Sequence, residues 1–180
     1  MAGRAPIYLP VLNTLVLIGF GWLAIVIELA PLGPAGAHAS PDLLFAVAAF
    51  LVLRRPSATP TLFVLLLGLA RDILSGGPTG LGALALLFGV EALRAYRPTL
   101  ARRSFVSEFL AISAVAALAS AFQALALVVT LTPLPALSIV GARILETLVA
   151  YLAIAVLFRY VLRIQADPLE NTRMIGRAER

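Results

Sequence analysis

Apolar residues run in six long stretches separated by short polar breaks, over residues 7–32, 41–55, 60–75, 80–96, 105–131 and 136–162. Continuous apolar stretches of this length, repeated along one chain, predict membrane-spanning helices. The breaks carry the residues that end helices: Pro31, Gly33, Pro34 and Gly36 after the first stretch, Gly76, Gly77, Pro78 and Gly80 after the third, and Thr132, Pro133 and Pro135 after the fifth. Start signals are also present. Ser40, Pro41 and Asp42 supply a hydroxyl cap, a proline for the first helical position and an acid facing the positive helix end. Thr59 and Pro60 repeat that signal before the third stretch.

Orientation follows from the arginines, because positive side chains near span ends are retained on the cytoplasmic side. With the N-terminus inside, the inner segments hold Arg4, then Arg54 and Arg55, then Arg94, Arg97, Arg102 and Arg103, then Arg159, Arg163, Arg173, Arg177 and Arg180. The outer connections, residues 33–40, 75–80 and 132–135, hold none. Both termini are therefore expected in the cytoplasm, with residues 1–164 forming one six-helix transmembrane domain and residues 165–180 a polar cytoplasmic tail. The second stretch makes only about 22 Å of helix against a hydrocarbon core of about 30 Å. A re-entrant pair would leave Arg54 and Arg55 at membrane depth at roughly 3 kcal/mol each, so two short spans with local bilayer thinning are expected. Ala37, His38 and Ala39 have the form of a signal-cleavage site, but the preceding run is longer than a usual signal core and carries Glu28, so retention is expected.

Composition narrows the class further. Of the 180 residues, 61% are hydrophobic and 13% charged, and the mean hydropathy is +1.01. These values exclude a soluble enzyme, a disordered tail and a nucleic-acid-binding module. The net charge of +5 comes from arginines between apolar segments, which is an orientation signal and implies no nucleic-acid partner. There is no cysteine and one histidine, His38. Thiolate chemistry, a serine–histidine dyad and a histidine-ligated zinc site lack their parts, and no Gly-rich phosphate loop occurs, so neither catalysis, a cofactor nor a metal is expected.

Some charges lie inside the spans. Arg71 and Asp72 are adjacent in the third, and Arg143 precedes Glu146 by one helical turn in the sixth. Asp72 lies about 18 Å from the inner end of its span and Arg143 about 24 Å from the inner end of its own. Glu28 and Asp42 come to similar levels, so four spans bring charge toward one outer layer. Ionisable groups at such depth face the bundle interior or a wet cavity. Two readings stand: a polar site for a ligand or a partner helix, or internal pairing, with Arg143 neutralised by Glu146 and Asp72 bonded to Arg71 or Arg143. Glu91 and Glu108, close to Arg94, Arg102 and Arg103, are expected at the inner interface. Tyr151 is expected to be an ordinary packing or interface aromatic, and Trp22, mid-span, to pack. Gly68 and the stripe of Ser113, Ala116, Ala117, Ser120 and Ala124 permit close helix approach, and Gln123 is expected to make a cross-helix hydrogen bond.

The run PDLLFAVAAFLVLRRP over residues 41–56, followed by LGLARDILSGGPTGLGAL over 67–84, resembles the rod shape-determining protein MreD family. The likeness rests on Pro41 and Asp42, on Arg54, Arg55 and Pro56, and on Gly68, Asp72, Ser75, Gly76, Gly77, Pro78 and Gly80. It covers about a quarter of the chain. The resemblance implies a non-enzymatic scaffold in the bacterial cytoplasmic membrane. Such a scaffold binds the bitopic protein MreC and works with MreB filaments and the wall synthases RodA and PBP2 in cell elongation. It implies that Asp42, Asp72 and the turn at Gly76–Gly80 contact the partner or shape the site. Arg71 is an unusual neighbour for the motif aspartate. Members of that family also look like the six-helix substrate-binding subunits of energy-coupling-factor vitamin transporters, which gives a second reading. An aspartate-dependent membrane enzyme is a third.

Overall fold

The computed structural model describes residues 8–30, 40–76, 78–100, 105–129 and 136–161. Among them there are six helices and no strand: α1 Tyr8–Leu29, α2 Leu43–Arg54, α3 Thr61–Ser75, α4 Leu81–Leu100, α5 Phe105–Val129 and α6 Leu137–Val156. A short 3₁₀ turn, Pro56–Ala58, follows α2, and a π-helical turn, Leu157–Val161, continues α6. Two stretches, Phe105–Val129 and Leu137–Tyr160, are long and apolar enough to cross a membrane, and Thr14–Leu29 and Leu43–Arg54 are shorter apolar helices. The signal-like Ala37, His38 and Ala39, Gly77, the 132–135 turn, Arg102, Arg103 and the 165–180 tail lie outside the described residues.

The short second helix is the axle of the molecule. Every residue from Leu44 to Leu53 is buried. A helix that is apolar on all sides has no face to give to solvent, so it takes the centre. α1, α4 and α6 pack on it directly, while α1–α3, α3–α4, α4–α5 and α5–α6 contacts make the surrounding ring. The ring closes between α1 and the π turn, where Phe20 meets Phe158 edge-on at 4.7 Å between centroids. Phe158 also meets Phe50 of α2 at 5.3 Å. The outward side of the ring is apolar: Trp22 is 49% exposed, Leu125 64% and Leu145 63%. Trp22 therefore does not pack inside the bundle. The packed side of α1 is the one bearing Leu17, Gly21, Ala24 and Ile25.

Local chemistry moves several boundaries. The cap of α2 is Asp42, whose Oδ1 accepts from the Phe45 N–H at 2.8 Å. Ser40, expected as the cap, instead donates its hydroxyl to the Glu28 carbonyl at 3.4 Å. Thr59 likewise does not cap α3: its hydroxyl donates to the Pro56 carbonyl at 3.1 Å, and Pro60 holds the cap position with no side-chain bond. α4 runs a turn beyond the expected end and carries Pro98 inside it. Proline so close to a helix end removes one bond without breaking the rod. Arg97, just before it, is buried and donates from Nε to the Leu53 carbonyl at 3.0 Å, satisfying the C-terminal end of α2.

Glycine sets the α3–α4 turn and crossing. Gly76 ends α3 at φ +68° and Gly80 has φ +95°, a region costly for side chains with Cβ. At Gly68 a Cβ would stand 2.8 Å from the Ala83 Cα, so the two backbones touch there. On α5 the buried positions are Glu108, Ile112, Val115 and Ala116. Ala117 is exposed and Ser113, Ser120 and Ala124 are partly buried. The small-residue stripe therefore sits at the margin of the packing face, and the Ser113 and Ser120 hydroxyls donate to the Phe109 and Ala116 carbonyls of their own helix, at 2.8 and 2.9 Å.

Candidate functional site: a charged cluster at one end of the bundle

Call the top of the bundle the end where α1, α3 and α5 finish and α2, α4 and α6 begin. Four helices deliver charge there. Arg71 of α3 donates from Nη1 to both carboxylate oxygens of Asp42, each at 2.8 Å. Its Nε lies 3.8 Å from Asp72 Oδ1. Arg143 of α6 places Nη2 3.5 Å from Asp42 Oδ2 and 3.9 Å from Glu28 Oε1 of α1. Asp42 is thus held four ways, because its own N–H also donates to Thr147 Oγ1 at 2.8 Å, and that hydroxyl donates to the Arg143 carbonyl at 2.7 Å.

Asp72 has a different task. Its Oδ2 accepts from the N–H groups of Gly80 at 3.0 Å and Ala83 at 2.9 Å. These are otherwise unpaired donors at the start of α4, where negative charge also meets the positive helix end. The contact requires a bare backbone at Gly82, where a Cβ would stand 2.2 Å from Asp72 Oδ1. Gly82→Ala is expected to displace the aspartate and cost about 2 kcal/mol or more, combining overpacking with loss of a cap. A thermal melt of the purified chain reads this, and an unchanged midpoint would show that the contact relaxes freely.

The sequence-based residues divide cleanly. Glu28, Asp42, Arg71, Asp72 and Arg143 come together. Glu146 does not join them and makes no ion pair with any described residue. The expected Arg143–Glu146 pair is therefore absent. A pair at that helical spacing contributes only about 0.2–0.5 kcal/mol, less than a guanidinium gains by turning inward to buried carboxylates. Of the turn residues, Pro78 lines the neighbouring cavity, Gly76 and Gly80 set the chain direction, and Gly68 holds α3 against α4.

A cavity of about 380 Å³ opens beside this cluster, its polar wall formed by Glu28, Ser40, Arg71, Asp72, Gln123 and Arg143. A smaller void of about 30 Å³ lies next to it, lined in part by Gln123, Arg143 and Thr147. Gln123 makes no hydrogen bond to a described residue and faces both spaces. The expected cross-helix bond is replaced by a polar wall. One Glu28 oxygen, Oε2, is buried without a hydrogen-bond partner among the described residues.

A second polar cluster occupies the opposite end. Glu108 of α5 accepts from Arg54 Nη2 at 3.0 and 2.7 Å and from the Tyr151 hydroxyl at 2.6 Å. Glu108 is 8% exposed and Tyr151 fully buried. Glu108, expected at the inner interface, and Tyr151, expected as a packing or interface aromatic, join Arg54 in an internal tie between α2, α5 and α6 that the sequence reading does not include. Nearby, Arg94 Nη1 lies 3.5 Å from Glu91, and Nη2 donates to the Thr59 carbonyl. Glu91 also accepts from the Thr61 hydroxyl at 2.8 Å. The Glu108 tie leaves neither carboxylate oxygen unpartnered and is structural; the top cluster, with a cavity and unspent polar atoms, is the candidate site.

Taken together, fold and site define an all-helical protein with a ring of five helices around a buried sixth and a charged cavity at one end. No family model, no curated protein and no solved structure matches the chain.

Proposed function

We propose that this protein is a multi-pass bacterial cytoplasmic-membrane scaffold of the cell-elongation machinery, as the MreD resemblance implies. In this reading all six helices lie in the bilayer with both termini in the cytoplasm, and the top of the bundle is the outer end. The apolar outward side of the ring supports it, since a soluble protein seldom exposes contiguous apolar surface of this extent. So does the arginine pattern, with Arg54, Arg94 and Arg97 at the bottom.

The observation that carries the proposal is that the residues of the resemblance organise the bundle. Asp42 caps the central helix and holds Arg71, Asp72 caps α4, Gly68 seats α3 on α4, and Gly76 and Gly80 shape the turn. The scaffold binds an MreC-like bitopic protein and through it works with MreB, RodA and PBP2. Affinity purification from a rod-shaped host is expected to recover the MreC-like partner, and depletion to give rounded cells. Normal shape with no such partner would overturn the proposal. A cytoplasmic-active reporter fused after Arg180 is expected to be active, and an exported one would reverse the orientation.

The second reading, a substrate-binding subunit of a vitamin-type transporter, is favoured by the charged cavity. It differs in requiring ATPase subunits, which native mass spectrometry of the purified complex detects.

A further inference from the structure

The top cluster has an uneven balance. Glu28, Asp42 and Asp72 face Arg71 and Arg143, and the five are not equally engaged. Arg71 is 4% exposed and spends Nη1 on both oxygens of Asp42. Asp42 also caps α2, and Asp72 caps α4. Two groups remain. The Glu28 side chain is only 10% exposed, lines the cavity, and buries Oε2 with no hydrogen-bond partner among the described residues. Arg143 lines the same cavity, and its distances of 3.5 and 3.9 Å to the carboxylates are longer than hydrogen bonds. Its guanidinium makes no hydrogen bond to a described residue. A carboxylate with one buried oxygen unpartnered among the described residues and a partly exposed guanidinium held only by long ion pairs therefore stand side by side on the wall of a cavity of about 380 Å³, a size within the range of small-molecule pockets.

We propose that this cavity binds a small amphoteric amine, with its ammonium group on Glu28 and its anionic group on Arg143. The distance sets the ligand's form. Because the Glu28 and Arg143 atoms are 3.9 Å apart, the two opposite charges of the ligand belong to one short molecule, with about two to four bonds between the nitrogen and the carbon or phosphorus of the anionic group. An anion alone would engage Arg143 and leave the Glu28 carboxylate facing like charge. A bare metal ion fits poorly beside two guanidiniums, and no group of three metal-ligating side chains exists among the described residues. Gln123 and Ser40 add neutral hydrogen-bonding partners on the same wall. The required chemistry is shared by soluble amino acids or phosphoamines and by the phosphatidylethanolamine headgroup.

The inference goes beyond the scaffold reading and does not rest on it, since copurification of a partner and ligand binding are separate measurements. β-Alanine and phosphoethanolamine serve as probes on the full chain purified in detergent, read by equilibrium dialysis and by thermal shift. Saturable binding is expected. It is expected to weaken at least tenfold in Glu28→Gln and in Arg143→Gln, and ethylamine or acetate alone is expected to bind at least tenfold more weakly than β-alanine. Glu28→Gln keeps the side-chain shape. If Arg143→Gln melts early, Gln123→Leu tests the same wall without removing an ion pair, and weaker binding is again expected. Reconstitution into nanodiscs separates the sources. Suppression of β-alanine binding by phosphatidylethanolamine, relative to phosphatidylglycerol alone, assigns the site to a headgroup, and equal binding in both assigns it to a solute. Absence of saturable binding by both probes, insensitivity to Glu28→Gln and Gln123→Leu, or equal stabilisation by sodium chloride would overturn the proposal.

Discussion

Arg71→Met is expected to destabilise the protein by about 3–5 kcal/mol, the range found when one partner of a buried ion pair is removed. The size follows from what remains. Asp42, Asp72 and Glu28 would then face one another with only the partly exposed Arg143 beside them, at 38% side-chain exposure. Asp42 would lose both 2.8 Å bonds while still fixed in place by its cap to Phe45 and by Thr147. It has no easy route to water. Asp42→Asn keeps a capping oxygen and removes the charge, so the double variant Asp42→Asn with Arg71→Met is expected to be more stable than Arg71→Met alone. That non-additivity, measured by thermal or denaturant unfolding of the purified chain, is the signature of a direct pair. A loss below about 1 kcal/mol, or strict additivity, would show that the top of the bundle does not depend on this contact.

Glu108→Ala is expected to have the second largest effect, about 2–4 kcal/mol, by opening the opposite end. The carboxylate is a hub: removing it strands the Arg54 guanidinium and the fully buried Tyr151 hydroxyl together. Tyr151→Phe removes only one donor and leaves Glu108 bonded to Arg54, so its cost is expected near 1 kcal/mol. The order of the two variants, more than either value, tests the arrangement. Equal melting points for both would place Glu108 in solvent and dissolve the tie.

How far the sequence foretells this structure varies with the range of the interaction. Six helices follow from the spacing of apolar stretches and of Gly and Pro, because helix formation and termination are local. The common level of Glu28, Asp42, Asp72 and Arg143 follows from helical rise counted along each segment. Their lateral meeting does not, since rise gives height and says nothing of azimuth. The missing Arg143–Glu146 pair shows the same limit: spacing places the two on one helical face, but carboxylates from α1 and α2 compete for the arginine. The capping of α4 by Asp72 and the α2–α5–α6 tie at Glu108 join residues far apart in the chain. The position of Glu108 in the first turn of an apolar helix is local, but its partners Arg54 and Tyr151 are not. The central place of α2 was not legible either: an unbroken apolar run says that a helix is hidden from water, and only the packing of α1, α4 and α6 around it shows that Leu44–Leu53 are buried by protein.

That axle has a consequence for the membrane setting proposed above. Both termini of α2 are met by protein groups, Thr147 and Arg71 at its beginning and Arg97 at its finish, while its flanks touch only other helices. From Leu44 to Leu53 the rod is covered by protein. Its brevity then answers to the separation of two polar floors built by its neighbours, so in the bilayer setting proposed above a change of membrane thickness would strain the ring first and leave the spindle inside it undisturbed.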